Sequence, residues 1–228
     1  MNLMPNIQLG FGLWYVRGGL YELARAFERR MQEANVRVHL GHRVTEIVKR
    51  GSAVSGVVAK AADGLPLSFD ADFIVSNMEV APASEQLLRE PPRVMRRLKR
   101  FEPSCSGIVL HLGLDRIYPQ LAHHNFFYSR DQKRHFHRVF HEKLLPDDPT
   151  NYVVAPTRTD PSQAPAGCDN IKILPHIPYR NDVHPYTRED CAALKERCLD
   201  KLERMGLTLR KHILVEDLWT PFRYRRCV

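Results

Sequence analysis

Paired glycines at the mouth of a helical pattern are the first residues here that could do chemistry. In GLWYVRGGLYELARAF, Gly12 to Phe27, an aromatic stretch leads to Gly18-Gly19. Leu20, Leu23, Ala24, Phe27 and Met31 then follow at helical spacing. Two residues without Cβ atoms let a backbone or a ligand approach closely. The start of the helix behind them favours an anion such as phosphate. A tight turn with no ligand accounts for the same residues. The dinucleotide fingerprint GxGxxG is absent from this stretch: after Gly10 and Gly12 it would need glycine at position 15, where Tyr15 stands.

Two further clusters carry titratable groups. His135, His137 and His141 follow His123 and His124, and His137 and His141 are spaced to share one helix face. No Glu follows His137, so the zinc-protease pattern HExxH is missing, and a surface cluster of neutral imidazoles is expected rather than a metal site. His124 is a weaker alternative, as a lining residue of a substrate channel. Farther upstream, Arg93, Arg96, Arg97, Lys99 and Arg100 surround Val94, Met95, Leu98 and Phe101. Such a helix can lie on an anionic lipid surface, or simply pack its apolar side on the core.

The elements that must hold these residues alternate in type. A helix is expected from about Leu20 to Ala34, closed by Asn35, which tolerates the left-handed conformation. Val36, Val38 and Leu40 alternate as a strand, and Val44, Ile47 and Val48 continue in extended form. Gly51-Ser52 is a turn, Val54, Val57 and Val58 a strand, and Asp63-Gly64 the strongest hairpin signal. Phe73, Ile74 and Val75 read as a strand buried on both faces. Helices are expected over Ala81 to Arg89, Pro92 to Lys99 and Gln132 to Lys143, and strands over Ile108 to Leu114, Phe126 to Ser129, Tyr152 to Val154 and Ile171 to Leu174. Thr187 and Asp190 have capping-box spacing ahead of a helix whose face is Cys191, Leu194, Cys198, Leu202 and Met205. Gly206 stops it, and Ile213 to Val215 close the pattern as a strand. The texture changes between Asn77 and Pro92, where a domain or subdomain boundary is expected.

With 228 residues and 43% hydrophobic content, a sizeable core can form. The net charge of +8 suits an anionic surface, either nucleic acid or lipid headgroups, or an ordinary solvated basic surface. Cys105, Cys168, Cys191, Cys198 and Cys227 form no CxxC pair. Neither a disulfide framework nor a thiolate zinc site is expected, and a reduced, cytoplasmic setting fits. No transmembrane helix and no signal peptide are expected.

Together these residues carry a resemblance. Gly12-Leu13-Trp14-Tyr15, Arg17-Gly18-Gly19, Val44-Thr45-Glu46-Ile47 and Ala71-Asp72-Phe73-Ile74-Val75-Ser76-Asn77 resemble the phytoene desaturase-type, amine-oxidase-like flavoproteins. Farther along, the resemblance continues through Ser106, Leu110, Leu112-Gly113-Leu114-Asp115, His123-His124-Asn125, Asp148-Pro149, Tyr152 and Thr159. Asp160-Pro161-Ser162-x-Ala164-Pro165-x-Gly167 is its most specific part. The details lean toward the bacterial branch acting on C30 or C40 linear polyenes.

The resemblance implies a mixed α/β fold, part of an FAD-binding Rossmann-like flavoprotein with a substrate subdomain. By the same likeness, residues 1–80 belong to the FAD-binding domain, and 81–228 form the substrate-binding subdomain and return strand. Family members start with a βαβ unit carrying the glycine fingerprint and end with a glycine-rich segment. Neither is in this sequence, so a fragment or truncated product is expected, unable by itself to hold FAD and inactive alone. The resemblance would place Val44, Gly18 and Gly19 near the flavin cofactor, with backbone groups at Val44 meeting the adenine. Ile108, Val109 and Leu110 are candidate core or tunnel residues, and no catalytic residue is identified. The expected activity is FAD-dependent desaturation of a long polyene at a membrane surface, with no nucleic-acid partner. The rivals are a polyene oxygenase or isomerase of the same family, and a non-catalytic basic remnant that binds membrane or nucleic acid.

Overall fold

Strict alternation along one strand sets the architecture. Asp169–Ile177 is buried at every second residue, with half-buried residues between, so one of its faces is core and the other is partly open. In the computed structural model, residues 3–180 and 185–224 are described. Residues 225–228, including Cys227, lie outside them. The chain divides into two compact units: Met1–Glu28 with Ser104–Val228, and Arg29–Pro103.

The larger unit contains helix α1 (Leu3–Phe11) and the start of α2 (Tyr21–Glu33), which runs into the smaller unit. Its sheet holds β4 (Ser106–Gly107), β5 (Val109–Leu114), β6 (His124–Phe127), β7 (Asn151–Val154), β8 (Asp169–Ile177) and β9 (Ile213–Trp219). The order is β6-β7-β8-β5-β9, with β4 also pairing β8, and all pairs are antiparallel. Helices α5 (Gln132–Phe140), α6 (Arg188–Arg204) and α7 (Pro221–Tyr224) complete the unit.

Leu110, Leu112 and Leu114 of β5, Ile171 and Ile173 of β8 and Val153 of β7 form the core with Cys191, Leu194, Cys198 and Leu202 of α6. Each fully buried aliphatic side chain contributes about 1.5–3 kcal/mol. The α6 face is the one its sequence spacing indicated, except that Met205 is exposed. Thr187 and Asp190 form a reciprocal capping box at its start. At its end Gly206 takes φ +89°, and the Leu207 amide donates to the Leu202 carbonyl at 2.8 Å. Both thiols are inert by burial, which pushes Cys191 up to about 11 and Cys198 up to about 12.

The smaller unit holds a meander of β1 (Arg43–Arg50), β2 (Ala53–Lys60) and β3 (Pro66–Asp70). The Gly51 and Asp63-Gly64 turns join them as expected, with Gly64 at φ +81° and the Leu65 amide held by the Asp63 carboxylate at 3.0 Å. A short helix α3 (Val80–Pro82) widens into a π-type turn (Ala83–Leu87), and α4 (Pro92–Leu98) follows. Asn35 ends α2 at φ +55°, and the Val36 amide reaches the Met31 carbonyl at 2.8 Å.

Two expected strands are absent. Residues 36–40 and 73–75 are irregular, and Phe73 and Val75 are 90% and 96% exposed. Their apolar content reports what they can bury, but a strand exists only with a ladder partner, and among the described residues neither segment has one.

Candidate functional site

The glycine turn is organised by a carboxylate far along the chain. Asp160 lies where Thr159-Asp160-Pro161 enters a short 3₁₀ turn, Pro161–Gln163. Its Oδ1 accepts the Ser162 hydroxyl at 2.6 Å and the Ser162 amide at 3.1 Å. Its Oδ2 accepts the Gly18 amide at 3.0 Å, the Gln163 side-chain amide at 3.2 Å and the Tyr15 hydroxyl at 3.3 Å. These donors, Ser162 foremost and then Gly18, hold the carboxyl down at about 2. Gly18 and Gly19 take φ +84° and +94°, a region closed to most side chains. A Cβ on Gly18 would come within 3.0 Å of Glu22 Cγ.

The glycine pair therefore presents no free amide. Gly18 donates to Asp160, and Gly19 donates to the Val16 carbonyl at 2.8 Å. What remains to a ligand here is close approach to a bare backbone. Val44 lies in the other unit, on β1, an outer strand of the meander. It faces Ala59, and the register slips between Val44 and Glu46, where the Thr45 hydroxyl turns to the Val58 carbonyl at 3.3 Å. An outer strand with a bulge leaves backbone donors and acceptors facing away from its neighbour. That chemistry fits a nucleotide base read by main-chain groups, as the resemblance assigns to Val44. No side chain is needed for it.

Next to the turn stands the open face of the large sheet. The sequence-expected candidates split across its two sides: Ile108 and Leu110 are core, whereas Val109 is half-buried on the open side. Here β5 brings His111 opposite Lys172 of β8 and Asp217 of β9. Desolvation and the Lys172 charge lower the His111 pKa against the pull of Asp217, which favours the neutral ring. Toward the other edge, pairing of β6 with β7 sets Phe126 opposite Tyr152. His124 lies on this face as well, and its Nδ1 meets the Tyr152 hydroxyl at 2.7 Å. His123 bonds Thr159 through Nδ1 at 2.6 Å, and its ring meets Tyr15 edge-on at 5.3 Å.

Of the other histidines, His135 is buried, whereas His137 meets Glu142 at 3.1 Å and stacks on His141 at 5.1 Å. Among the described residues no group of three potential metal ligands occurs. Helix α4 buries Met95 and leaves Arg93, Arg96 and Arg97 exposed. No helix among the described residues is long and apolar enough to cross a membrane. Asp160 was visible in the sequence only as part of a motif; its link to Gly18 has no local signal. The alternation His124, Phe126, Tyr128 was the one sign of an aromatic face.

Known proteins place this geometry in context. The chain is 56% identical over 222 residues to a protein of a Methylomonas species named 4,4′-diapolycopene oxygenase, covering 97% of this chain and 44% of that protein. It is 48% identical over 223 residues to a 4,4′-diaponeurosporene oxygenase of Staphylococcus aureus, again covering 97% and 44%. The chain thus spans less than half the length of these curated relatives. Among solved structures, a Pyrococcus furiosus protein matches with a TM-score of 0.59 at 16% identity, over 89% of this chain and 43% of that one. An oxidoreductase from Methanosarcina mazei matches with a TM-score of 0.52 at 17% identity, over 89% and 42%. These two likenesses establish the mixed α/β fold. Residues 5–219 match the model of the flavin containing amine oxidoreductases, and the chain belongs to that family.

Proposed function

We propose that this chain forms part of an FAD-dependent enzyme that oxygenates a linear C30 polyene of the diapolycopene type. The observation that carries this reading is identity of 56% and 48%, over nearly the whole chain, to two proteins named as oxygenases of such polyenes. The expectation of desaturation yields to oxygenation on that ground, while the polyene substrate class is retained.

In this scheme residues 1–80 serve the cofactor side and 81–228 the substrate side, a division by ligand rather than by compact unit. FAD, when bound, supplies the redox chemistry. Val44 would meet the adenine through main-chain groups at the β1 bulge, and Gly18-Gly19 would permit close approach without donating an amide. The open sheet face would hold the polyene and exclude water. The basic surface of α4, with Arg93, Arg96 and Arg97, would attract anionic headgroups where such a substrate resides.

A chimaera tests the activity. This chain replaces the matched stretch of the Methylomonas relative, in a host that makes 4,4′-diapolycopene. The expected product contains added oxygen by mass spectrometry. A product that has only lost hydrogen would restore the desaturase reading. Unchanged polyene beside a folded, flavin-loaded chimaera would defeat both.

A further inference from the structure

Aromatic rings form a continuous row on the open face of the large sheet, beginning at the glycine turn. Tyr15 meets His123 at 5.3 Å between ring centroids, His123 meets His124 at 4.4 Å, and His124 meets Tyr152 at 5.8 Å. Tyr152 then stacks on Phe126 at 4.8 Å, and Phe126 on Tyr128 at 5.8 Å. The planes flatten along the row. The angle between neighbouring rings falls from 63° at Tyr15 to 26°, 17° and 11° over the last three steps. Core packing does not explain this, because Phe126 and Tyr128 are 53% and 59% exposed. Phe127, between them, is the residue that turns to the core.

The positions derive from pairing. His124 and Phe126 share one side of β6, Tyr128 lies one residue beyond its end, and antiparallel register sets Tyr152 against Phe126. His124 fixes the Tyr152 ring through the 2.7 Å bond to its hydroxyl. No carboxylate belongs to the row. The one at its end, Asp160, is engaged by Gly18, Ser162, Gln163 and Tyr15.

We infer that Tyr152, Phe126 and Tyr128 form a stacked aromatic row whose outward edges bind the conjugated chain of the polyene and select it over unconjugated isoprenoids, with its far end directed to Tyr15 and the glycine turn. The inference rests on the polyene substrate proposed above. Rings stacked in a row present their hydrogen-bearing edges outward, and those edges meet the π-face of a planar conjugated chain, whereas a kinked unconjugated chain of equal carbon count gains only apolar contact. Selectivity therefore belongs to the rings and not to apolar area as such.

The test uses the full chain in detergent micelles, titrated with 4,4′-diapolycopene and, in parallel, with squalene as the unconjugated chain. The wild type is expected to prefer the polyene. Phe126→Leu and Tyr152→Leu keep apolar bulk and should each weaken polyene binding about two- to tenfold while leaving squalene binding nearly unchanged. Tyr152→Phe keeps the ring and should retain the preference. Equal loss for both ligands, or no loss for either, overturns the inference while leaving the oxygenase reading to be judged by the chimaera's product. A folded wild-type chain, verified by circular dichroism, that binds neither ligand also overturns it.

Discussion

The Asp160 carboxylate accepts the Gly18 amide at 3.0 Å, across 142 positions of sequence. One half-buried side chain thereby fixes the entry to α2. The hydrogen bonds that do this favour the ionised form, so the contact has a pH signature. Its folded value lies near 2, below the ordinary 3.8. A depressed carboxylate contributes its stability in full above the ordinary value and loses it as the pH falls through the folded one. Carbon-detected NMR should find Asp160 titrating near pH 2, and Asp160→Asn should slightly destabilise the turn at pH 7. An Asp160 midpoint near 4 would show that the Gly18 contact does not persist in solution.

Asp169 has a heavier structural role. It is buried, and its carboxylate accepts the Tyr118 amide at 3.2 Å, the Asn170 amide at 3.0 Å, the Thr157 hydroxyl and the Arg158 guanidinium at 3.3 Å. Asp169→Ala removes the carboxylate paired with the partly buried Arg158, which keeps only its bonds to the Tyr118 carbonyl and the Thr157 hydroxyl, and strips the acceptor from the Tyr118 amide. The expected cost is about 3–5 kcal/mol, read as a lower denaturant midpoint with an unchanged slope. A loss under about 1 kcal/mol would mean that water replaces the carboxylate.

Local chemistry was the legible part of this sequence. The Thr187–Asp190 capping box, the Asn35 and Gly206 helix ends and the Asp63-Gly64 hairpin each depend on residues within a few positions, and each formed. Helix α1 (Leu3–Phe11) has no counterpart among the expected elements, and Gly10 near its end weakens its helical signal. Residues 36–40 and 73–75 misled for another reason: alternation and apolarity are properties of a segment, whereas a strand is a property of a pair. The candidate site was least legible. Asp160 to Gly18, Tyr15 to His123 and Phe126 to Tyr152 are joined by pairing between distant segments, and no spacing rule records that.

Gly56 tests the smaller unit on its own. It lies in β2 opposite Asp70, and an added Cβ would fall 2.3 Å from the Phe69 carbonyl oxygen. Backbone cannot yield as a side-chain tip can. Gly56→Ala should therefore pry β3 from β2 at a cost of about 1–3 kcal/mol. Hydrogen exchange should show faster amide exchange confined to β2 and β3. Unchanged protection there would mean that the two strands are spaced more widely in solution.

The Lys201–Asp148 pair should respond asymmetrically, because its partners differ in access to water. Lys201 is buried at 5% exposure on α6, with its ammonium 2.6 Å from Asp148 Oδ1 and 2.9 Å from the Pro149 carbonyl. The Asp148 side chain is 43% exposed. Removing the carboxylate strands a buried cation, whereas removing the cation leaves a carboxylate that water can still reach. Asp148→Asn should then cost about 3 kcal/mol and Lys201→Met about 1 kcal/mol, with the double variant recovering part of the larger loss. Burial pushes the Asp148 carboxyl up, but the hydrogen bonds from Lys201 and the Arg130 amide outweigh it and hold the pKa below its ordinary value. The wild-type advantage over Lys201→Met should thus be complete above the ordinary carboxylate range and shrink as the pH falls below it. Chemical denaturation of the four proteins from pH 7 to pH 3 measures both effects. Equal costs for the two single variants, or an advantage that grows in acid, would show that the pair is solvated and that α6 is held by its apolar face alone.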